Sequence, residues 1–265
     1  MFEITILSIL QGIAEFLPIS SSGHLVIFQH LLGMNDPGMR LDICLHAGTL
    51  ISIFVFYAKS IGSIFHGCFS LSATSEQRRE SWRLVLTLLI SSIPAVLGYI
   101  FFSDEIKSLF ENAKMVGGLL MFTGAVLLGT RYIPRNDKRV GFLRALGMGV
   151  GQAIALLPGV SRSGMTLAAA RSFGVKPEKA AEFSFLMSTP LIIGGMILEI
   201  AKSFGGTEID AMPWSHLAFG MAIAAFVGYY SLKILVKALK GKWFWLFGPY
   251  CILAGLATLI FVSAP

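Results

Sequence analysis

Apolar residues run along this chain in long blocks. Six blocks approach the roughly 20 residues that a helix needs to cross a bilayer: 41–58, 83–102, 115–133, 182–201, 214–236 and 243–263. Two further apolar stretches, 2–32 and 143–173, are broken near their middles by Pro, Gly and hydroxyl residues. In the first, a helical run stops at Pro18, passes Ser20, Ser21, Ser22 and Gly23, and resumes as a short piece ending near Gly33. Each arm is too short to cross. Broken backbone at membrane depth is tolerated only where protein buries it or where it lines a wet cavity, so both stretches read as re-entrant helical hairpins with a cavity at their tips. The expected fold is an all-α integral membrane protein, a single transmembrane domain over 1–265 with six full transmembrane helices and two re-entrant hairpins.

Composition agrees with that pattern. Of the residues, 55% are apolar or aromatic and only 14% charged, against about 25% charged in a soluble domain, and mean hydropathy is +0.74. The formal charge of +6 would raise the question of nucleic acid in a soluble chain, but here the cations gather in short loops. Lys59–Arg83 carries four, Arg131–Arg144 five, Arg171–Glu182 three and Lys233–Lys242 four. Cytoplasmic loops are enriched in Lys and Arg, so these face the cytoplasm and no nucleic-acid partner is expected. The segments 34–41, 103–114 and 202–213 carry only Arg40, Lys107, Lys114 and Lys202 and face outward. This threading brings the hairpin 2–32 in from the outer side and 143–173 from the inner side. Residues 1–39 contain no Lys or Arg, whereas a signal peptide needs a basic start, so the N-terminal segment is expected to be retained. Cys44, Cys68 and Cys251 lack metal-ligand spacing and read as core residues.

An internal repeat supports the opposed hairpins. A shift of 141 residues superposes Gln11-Gly-Ile-Ala14 on Gln152-Ala-Ile-Ala155, and Ser20-Ser-Ser-Gly23 on Ser161-Arg-Ser-Gly164. The same shift matches Leu45, Leu50 and Ile51 with Leu186, Leu191 and Ile192. Three spans separate equivalent points, so the copies, 1–133 and 143–263, are expected to have opposite topology, as in many secondary transporters whose sites lie at the repeat interface.

The candidate chemistry lies in the broken centres. Gln11 and Glu15, four residues apart, share a helix face, and Ser20, Ser21, Ser22 and His24 follow Pro18, forming one expected polar patch. A charge at mid-bilayer costs at least about 2.5 kcal/mol, so Glu15 and Arg162 need partners, water or a ligand. An ion pair clasping the two hairpins is the structural alternative. In the second break, Pro158-Gly-Val-Ser-Arg-Ser-Gly164 and Thr166 would offer backbone N–H groups, hydroxyls and a guanidinium at a helix start, a combination suited to phosphate. The candidate substrate-binding residues are Gln11, Ser20, Ser22, Ser161, Ser163, Gly164 and Thr166. His46, His66, His216, Glu199 and the aromatic residues around Trp243 and Trp245 read as packing or interfacial anchors. There is no P-loop, and Gly159–Ser163 lacks the last glycine of a nucleophile elbow.

With Gln11-Gly-Ile-Ala-Glu15, Phe-Leu-Pro-Ile-Ser-Ser-Ser-Gly-His24 and Pro158-Gly-Val-Ser-Arg-Ser-Gly-Met-Thr166 in place, the chain resembles the undecaprenyl-diphosphate phosphatase family of the BacA type over essentially its whole length. The resemblance implies hydrolysis of undecaprenyl diphosphate to the monophosphate in the bacterial inner (cytoplasmic) membrane, recycling a lipid carrier for cell-wall polysaccharide, with bacitracin resistance on overproduction. It implies that Glu15, Ser21, His24 and Arg162 are the catalytic positions and that a divalent cation, Mg²⁺ or Ca²⁺, takes part. The family's first motif begins with Glu or Gln, and Gln11 here leaves Glu15 as the only motif carboxylate for such an ion.

In the mechanism expected from these residues, the diphosphate enters between the hairpin tips from the outer side. Arg162, the helix start at 161–164 and the cation neutralise the phosphoryl group. Ser21 attacks, and His24 or Glu15 takes its proton, His24 being the natural choice from its near-neutral pKa; attack by a water activated by His24 is the alternative. The rival function is a carrier of small anions or polyprenyl lipids, to which the inverted repeat alone would also point. The sequence leaves open whether two copies pair as a homodimer.

Overall fold

The computed structural model describes residues 1–31, 39–110, 112–134, 136–203 and 212–261. The end of the first broken stretch at residue 32, most of the outward segments 34–41 and 202–213, and the last two positions of the span 243–263 lie outside the described residues. Among the described residues the regular elements are helical, with one isolated bridge between Lys138 and Val175.

The first broken stretch forms α1 (Phe2–Ala14) and α2 (Ser21–Leu31), and the second forms α7 (Phe142–Ile154) and α8 (Arg162–Ser172). The six expected spans fall on α3 (Met39–Phe56), α5 (Ser75–Phe110), α6 (Ala113–Gly129), α9 (Pro177–Ser203), α10 (Trp214–Gly241) and α11 (Phe247–Phe261). Among the described residues five helical segments are long and apolar enough to cross a bilayer, and a sixth qualifies if α3 is counted with α4 (Ala58–Phe69), to which it is joined through a 75° bend.

The stretch 59–83, read from its charges as a loop, is largely helical. It holds α4 and the first turns of α5, which starts with a reciprocal cap: Gln77 N donates to Thr74 Oγ1 at 3.2 Å and Thr74 N donates to Gln77 Oε1 at 3.0 Å. This capping box satisfies two backbone donors that a helix start otherwise leaves open, so α5 begins well before its apolar stretch. At its other end α5 runs on to Phe110, past the expected boundary, with a departure from helical angles at Phe102 (φ −128°, ψ 21°), the last position of the expected span.

The packing is that of a protein whose solvent is lipid. Large apolar side chains such as Phe101, Leu253 and Ile260 point outward, while buried hydroxyls including Ser8, Ser91, Ser92 and Thr258 donate to carbonyls of their own helices. Without water to drive helices together, close backbone approach at small residues carries the association. Gly117 of α6 faces Gly255 of α11, and Gly124 faces Gly248; a Cβ on Gly124 would lie 2.7 Å from the Gly248 carbonyl oxygen, and one on Gly255 would lie 2.5 Å from that of Gly117. The helix pairs also cross over in the chain: α1 packs on α10, α7 on α5, α3 on α10 and α5 on α9.

Candidate active site

Both broken stretches end in the same local device. Ser161 is the N-cap of α8, its Oγ accepting from Gly164 N at 3.1 Å, and at the start of α2 Ser20 Oγ accepts from Gly23 N at 3.2 Å. A serine here satisfies one of the open N–H groups of a helix start. Each capping hydroxyl also lies 3.3 Å from the hydroxyl two residues on, Ser22 in one case and Ser163 in the other. Ser20 takes a left-handed backbone (φ 69°), a conformation that costs a non-glycine residue energy and is held only by its surroundings.

The two breaks are pressed together. A Cβ on Gly23 would lie 3.1 Å from Gly159 Cα, and one on Gly164 would lie 3.4 Å from Pro18 Cβ. Side chains from distant helices tie down the loop carbonyls: Thr123 Oγ1 of α6 donates to Gly159 O at 3.0 Å and accepts from Ser161 N at 3.1 Å. Cys251 Sγ of α11 donates to Pro18 O at 3.4 Å, so this cysteine is a buried packing residue with a specific contact.

At the junction lies a cavity of about 280 Å³. Its polar side is formed by Glu15, Ser20, Ser21, Ser22, Ser161 and Arg162, and its apolar side by Phe110, Leu191, Ile192 and Met196. Glu15 is buried at 5% exposure and is the centre of the hydrogen-bond pattern. Its Oε1 is paired with Arg162 Nη2, while its Oε2 accepts from Ser21 Oγ at 2.8 Å and from Gln11 Nε2 at 3.2 Å. One carboxylate therefore links the hydroxyl at the start of α2 to the guanidinium at the start of α8, which lies 147 residues beyond Glu15 in the chain. Burial of an unpaired charge is costly, and removing one partner of such a pair costs about 3–5 kcal/mol.

Several expected site residues are engaged elsewhere. His24 belongs to the expected polar patch but does not line the cavity; it is buried against α11. Its Nδ1 lies 2.9 Å from Ser20 O and its Nε2 2.8 Å from Tyr250 Oη. A carbonyl only accepts, so the proton sits on Nδ1 and the lone pair of Nε2 accepts from the tyrosine hydroxyl. Ser163 Oγ donates to Leu17 O at 3.3 Å, and Thr166 Oγ1 lies 2.6 Å from Ser184 Oγ, so both serve packing between segments. Gly164 spends its N–H on the Ser161 cap. Gln11 lies behind Glu15, and its Oε1 is buried without a hydrogen-bond partner.

One cavity residue had been read as packing. His46 of α3 lines the cavity, with Nδ1 2.9 Å from Asp42 O. The signal was present in the sequence, since an ionisable residue inside an apolar span is by default a functional candidate.

A resident divalent cation does not fit these residues. Among the described residues no group of three His, Cys, Asp or Glu side chains is placed to hold a metal, and both oxygens of Glu15 already face donors. Hard cations require several oxygen ligands, and the orphaned Gln11 Oε1 is one neutral oxygen.

Comparison with known proteins gives this geometry a family. A family model described as bacitracin resistance protein BacA matches residues 4–257. Similar curated relatives include the undecaprenyl-diphosphatase of Desulfatibacillum aliphaticivorans, 38% identical with 97% of each chain covered. That of Pelotomaculum thermopropionicum is 36% identical, covering 100% of this chain and 97% of the relative. That of Methanococcus vannielii is also 36% identical, covering 98% of this chain and 100% of the relative. A family match over nearly the whole chain, with relatives 36–38% identical over almost their full length, shows that this chain belongs to the BacA family.

Proposed function

We propose that this protein hydrolyses undecaprenyl diphosphate to undecaprenyl phosphate and inorganic phosphate. The observation that carries the reading is the two-sided cavity, where Ser21, Glu15 and Arg162 form one connected polar line facing an apolar wall from α5 and α9. A polyprenyl diphosphate has the matching duality, with two phosphates for the polar line and a hydrocarbon chain for the wall.

In the proposed reaction the terminal phosphate displaces the guanidinium of Arg162 from Glu15, which frees the carboxylate. Ser21 Oγ attacks the terminal phosphorus, its proton passes to Glu15, and the bond to the bridging oxygen breaks to release the lipid monophosphate. Water then attacks the phosphoserine, one of its protons restoring the Ser21 hydroxyl as inorganic phosphate forms, and Glu15 releases the proton it took to solvent. Arg162 and the open N–H groups at the start of α8 neutralise the transferring group, the main protein contribution in phosphoryl transfer. Glu15 is assigned as the base because it already accepts from Ser21 at 2.8 Å. His24 is assigned as a positioning residue that holds the Ser20 carbonyl against α11 through Tyr250. The divalent cation implied by resemblance is proposed to arrive as the counter-ion of the diphosphate.

The proposed architecture is an inverted repeat, 1–133 and 143–263, with α1–α2 and α7–α8 as re-entrant hairpins in a bacterial inner membrane and the cavity opening to the outer side. Support comes from reciprocity. In a two-fold contact, residue i of one unit meets j of the other while j of the first meets i of the second. The crossed helix pairs obey this rule: α1 packs on α10 as α7 packs on α5, and α3 packs on α10 as α9 packs on α5.

Purified protein in detergent should release phosphate from undecaprenyl diphosphate, and Ser21→Ala should lower the rate on the order of a thousandfold; a fully active variant would contradict the serine nucleophile. Arg162→Lys should cost at least about tenfold, since a charge-assisted fork contact is worth about 1.5–3 kcal/mol, and wild-type turnover would remove Arg162 from the site. The pH–rate profile separates the two bases: His24→Asn should lower the rate but keep the shape of the profile, whereas loss of its acidic limb would make His24 the base. Metal analysis of the purified protein should find no stoichiometric Mg²⁺ or Ca²⁺ even where chelator slows the reaction; a tightly held equivalent would refute the counter-ion assignment.

A further inference from the structure

A cavity larger than the catalytic one lies elsewhere. It has a volume of about 580 Å³ and lies where the first turns of α5, α7 and α9 converge, on the side that the loop charges assign to the cytoplasm. Its rim carries Arg83, Arg139, Arg144 and Lys179 against Glu80 and Glu182. Lys179 and Glu182 neutralise each other at 2.8 Å, and Arg144 Nη1 donates to the Arg139 carbonyl at 2.8 Å. Among the described residues neither Arg83 nor Arg139 has an ion-pair partner. The cavity therefore holds an excess of two positive charges.

Two further features point to an anion with an apolar body. The α7 helix starts at this cavity, and its N-cap, Gly141, supplies no side-chain bond to the first turn, so open N–H groups and the positive end of the helix dipole add to the arginines. The floor is apolar, with Leu84, Phe183 and Leu186, and Phe142 and Leu143 beside the opening are 52% and 77% exposed, as befits contact with acyl chains. We infer that this cavity is a binding site for an anionic phospholipid of the cytoplasmic leaflet, its phosphate held by Arg83, Arg139 and the start of α7, and one acyl chain laid on the apolar floor. Basic pockets between spans on that side hold such headgroups by the same chemistry.

The site is coupled to the catalytic cavity by two helices. The α7 helix runs from this cavity to Ala155 and Leu156 just beyond its end, and α9 runs from Lys179 and Leu186 to Leu191 and Met196; the later residues of each line the catalytic cavity. A ligand that binds only the folded state stabilises it, so an anionic lipid here braces two walls of the distant site.

The test compares wild type, Arg83→Gln/Arg139→Gln and the charge-conserving Arg83→Lys/Arg139→Lys in zwitterionic detergent. Phosphatidylglycerol or phosphatidylcholine is titrated, with native mass spectrometry and thermal melting as readouts. Wild type should bind phosphatidylglycerol in preference and melt at a higher temperature with it. The glutamine variant should bind about thirtyfold more weakly, equivalent to about 2 kcal/mol for two cations, the lysine variant should keep most of the binding, and basal phosphate release without anionic lipid should be unchanged in both. Glycerol phosphate should not compete. Equal binding of the two lipids, unchanged affinity in the glutamine variant, displacement by free glycerol phosphate, or selective capture of polyprenyl phosphate in place of phosphatidylglycerol would each overturn the assignment.

Discussion

A single buried carboxylate constrains the rest of this structure. Glu15 lies in an apolar stretch where its charge needs a protein partner, and the guanidinium that pairs with it comes from the second broken stretch, 147 residues on. For that pair to form, both helices must break at the same depth, each break must have its backbone groups satisfied, and the two breaks must touch. The serine caps, the Thr123 and Cys251 contacts to loop carbonyls, and the close glycine and proline contacts between the breaks meet these conditions. In the proposed reaction the same pair keeps the guanidinium of Arg162 in place without substrate, until the diphosphate displaces it.

The proposed duplication gives this arrangement an economical origin. One broken hairpin presents hydroxyls at a helix start, and a second copy, inverted, presents another helix start facing it. Under the proposed duplication the two copies have diverged. Where the first copy has Ser21, the second has Arg162; where the first has Glu15, the second has Leu156. The proposed nucleophile and the carboxylate thus lie on one side and the guanidinium on the other. The structural roles remained alike, with Ser20 and Ser161 as caps and Gly23 and Gly164 at the close approach.

Much of this was legible in the sequence because the bilayer penalises irregularity. Long apolar runs have few alternatives to a spanning helix, and Glu15 and Arg162 are conspicuous because an idle charge there is expensive. Outside the apolar blocks that penalty vanishes, which is why α4 and the early start of α5 read as a loop, although the Thr74 and Gln77 capping box marks the helix start. Side-chain direction inside the breaks was not legible either. His24 is three residues from Ser21 and was grouped with it, yet the left-handed turn at Ser20 directs the imidazole to Tyr250, a partner 226 residues away. Ser163 and Thr166 have the composition of a phosphate loop but use their hydroxyls to pack segments together. His46 was overlooked because it stands alone in a span, and only the folding of α3 against the breaks brings it to the cavity.

The central claim, that both breaks close on one diphosphate, is tested most directly by measuring where the phosphorus sits. A solid-state NMR dipolar experiment would use a methylene-bridged, non-hydrolysable polyprenyl diphosphonate bound to protein carrying ¹⁵N-labelled arginine and ¹³C-labelled serine. The account predicts that ³¹P dephases both an arginine side-chain signal that Arg162→Lys abolishes and a serine signal that Ser21→Ala abolishes, placing one ligand in contact with both helix starts. A bound analogue that dephases neither signal, or only one of them, would contradict it.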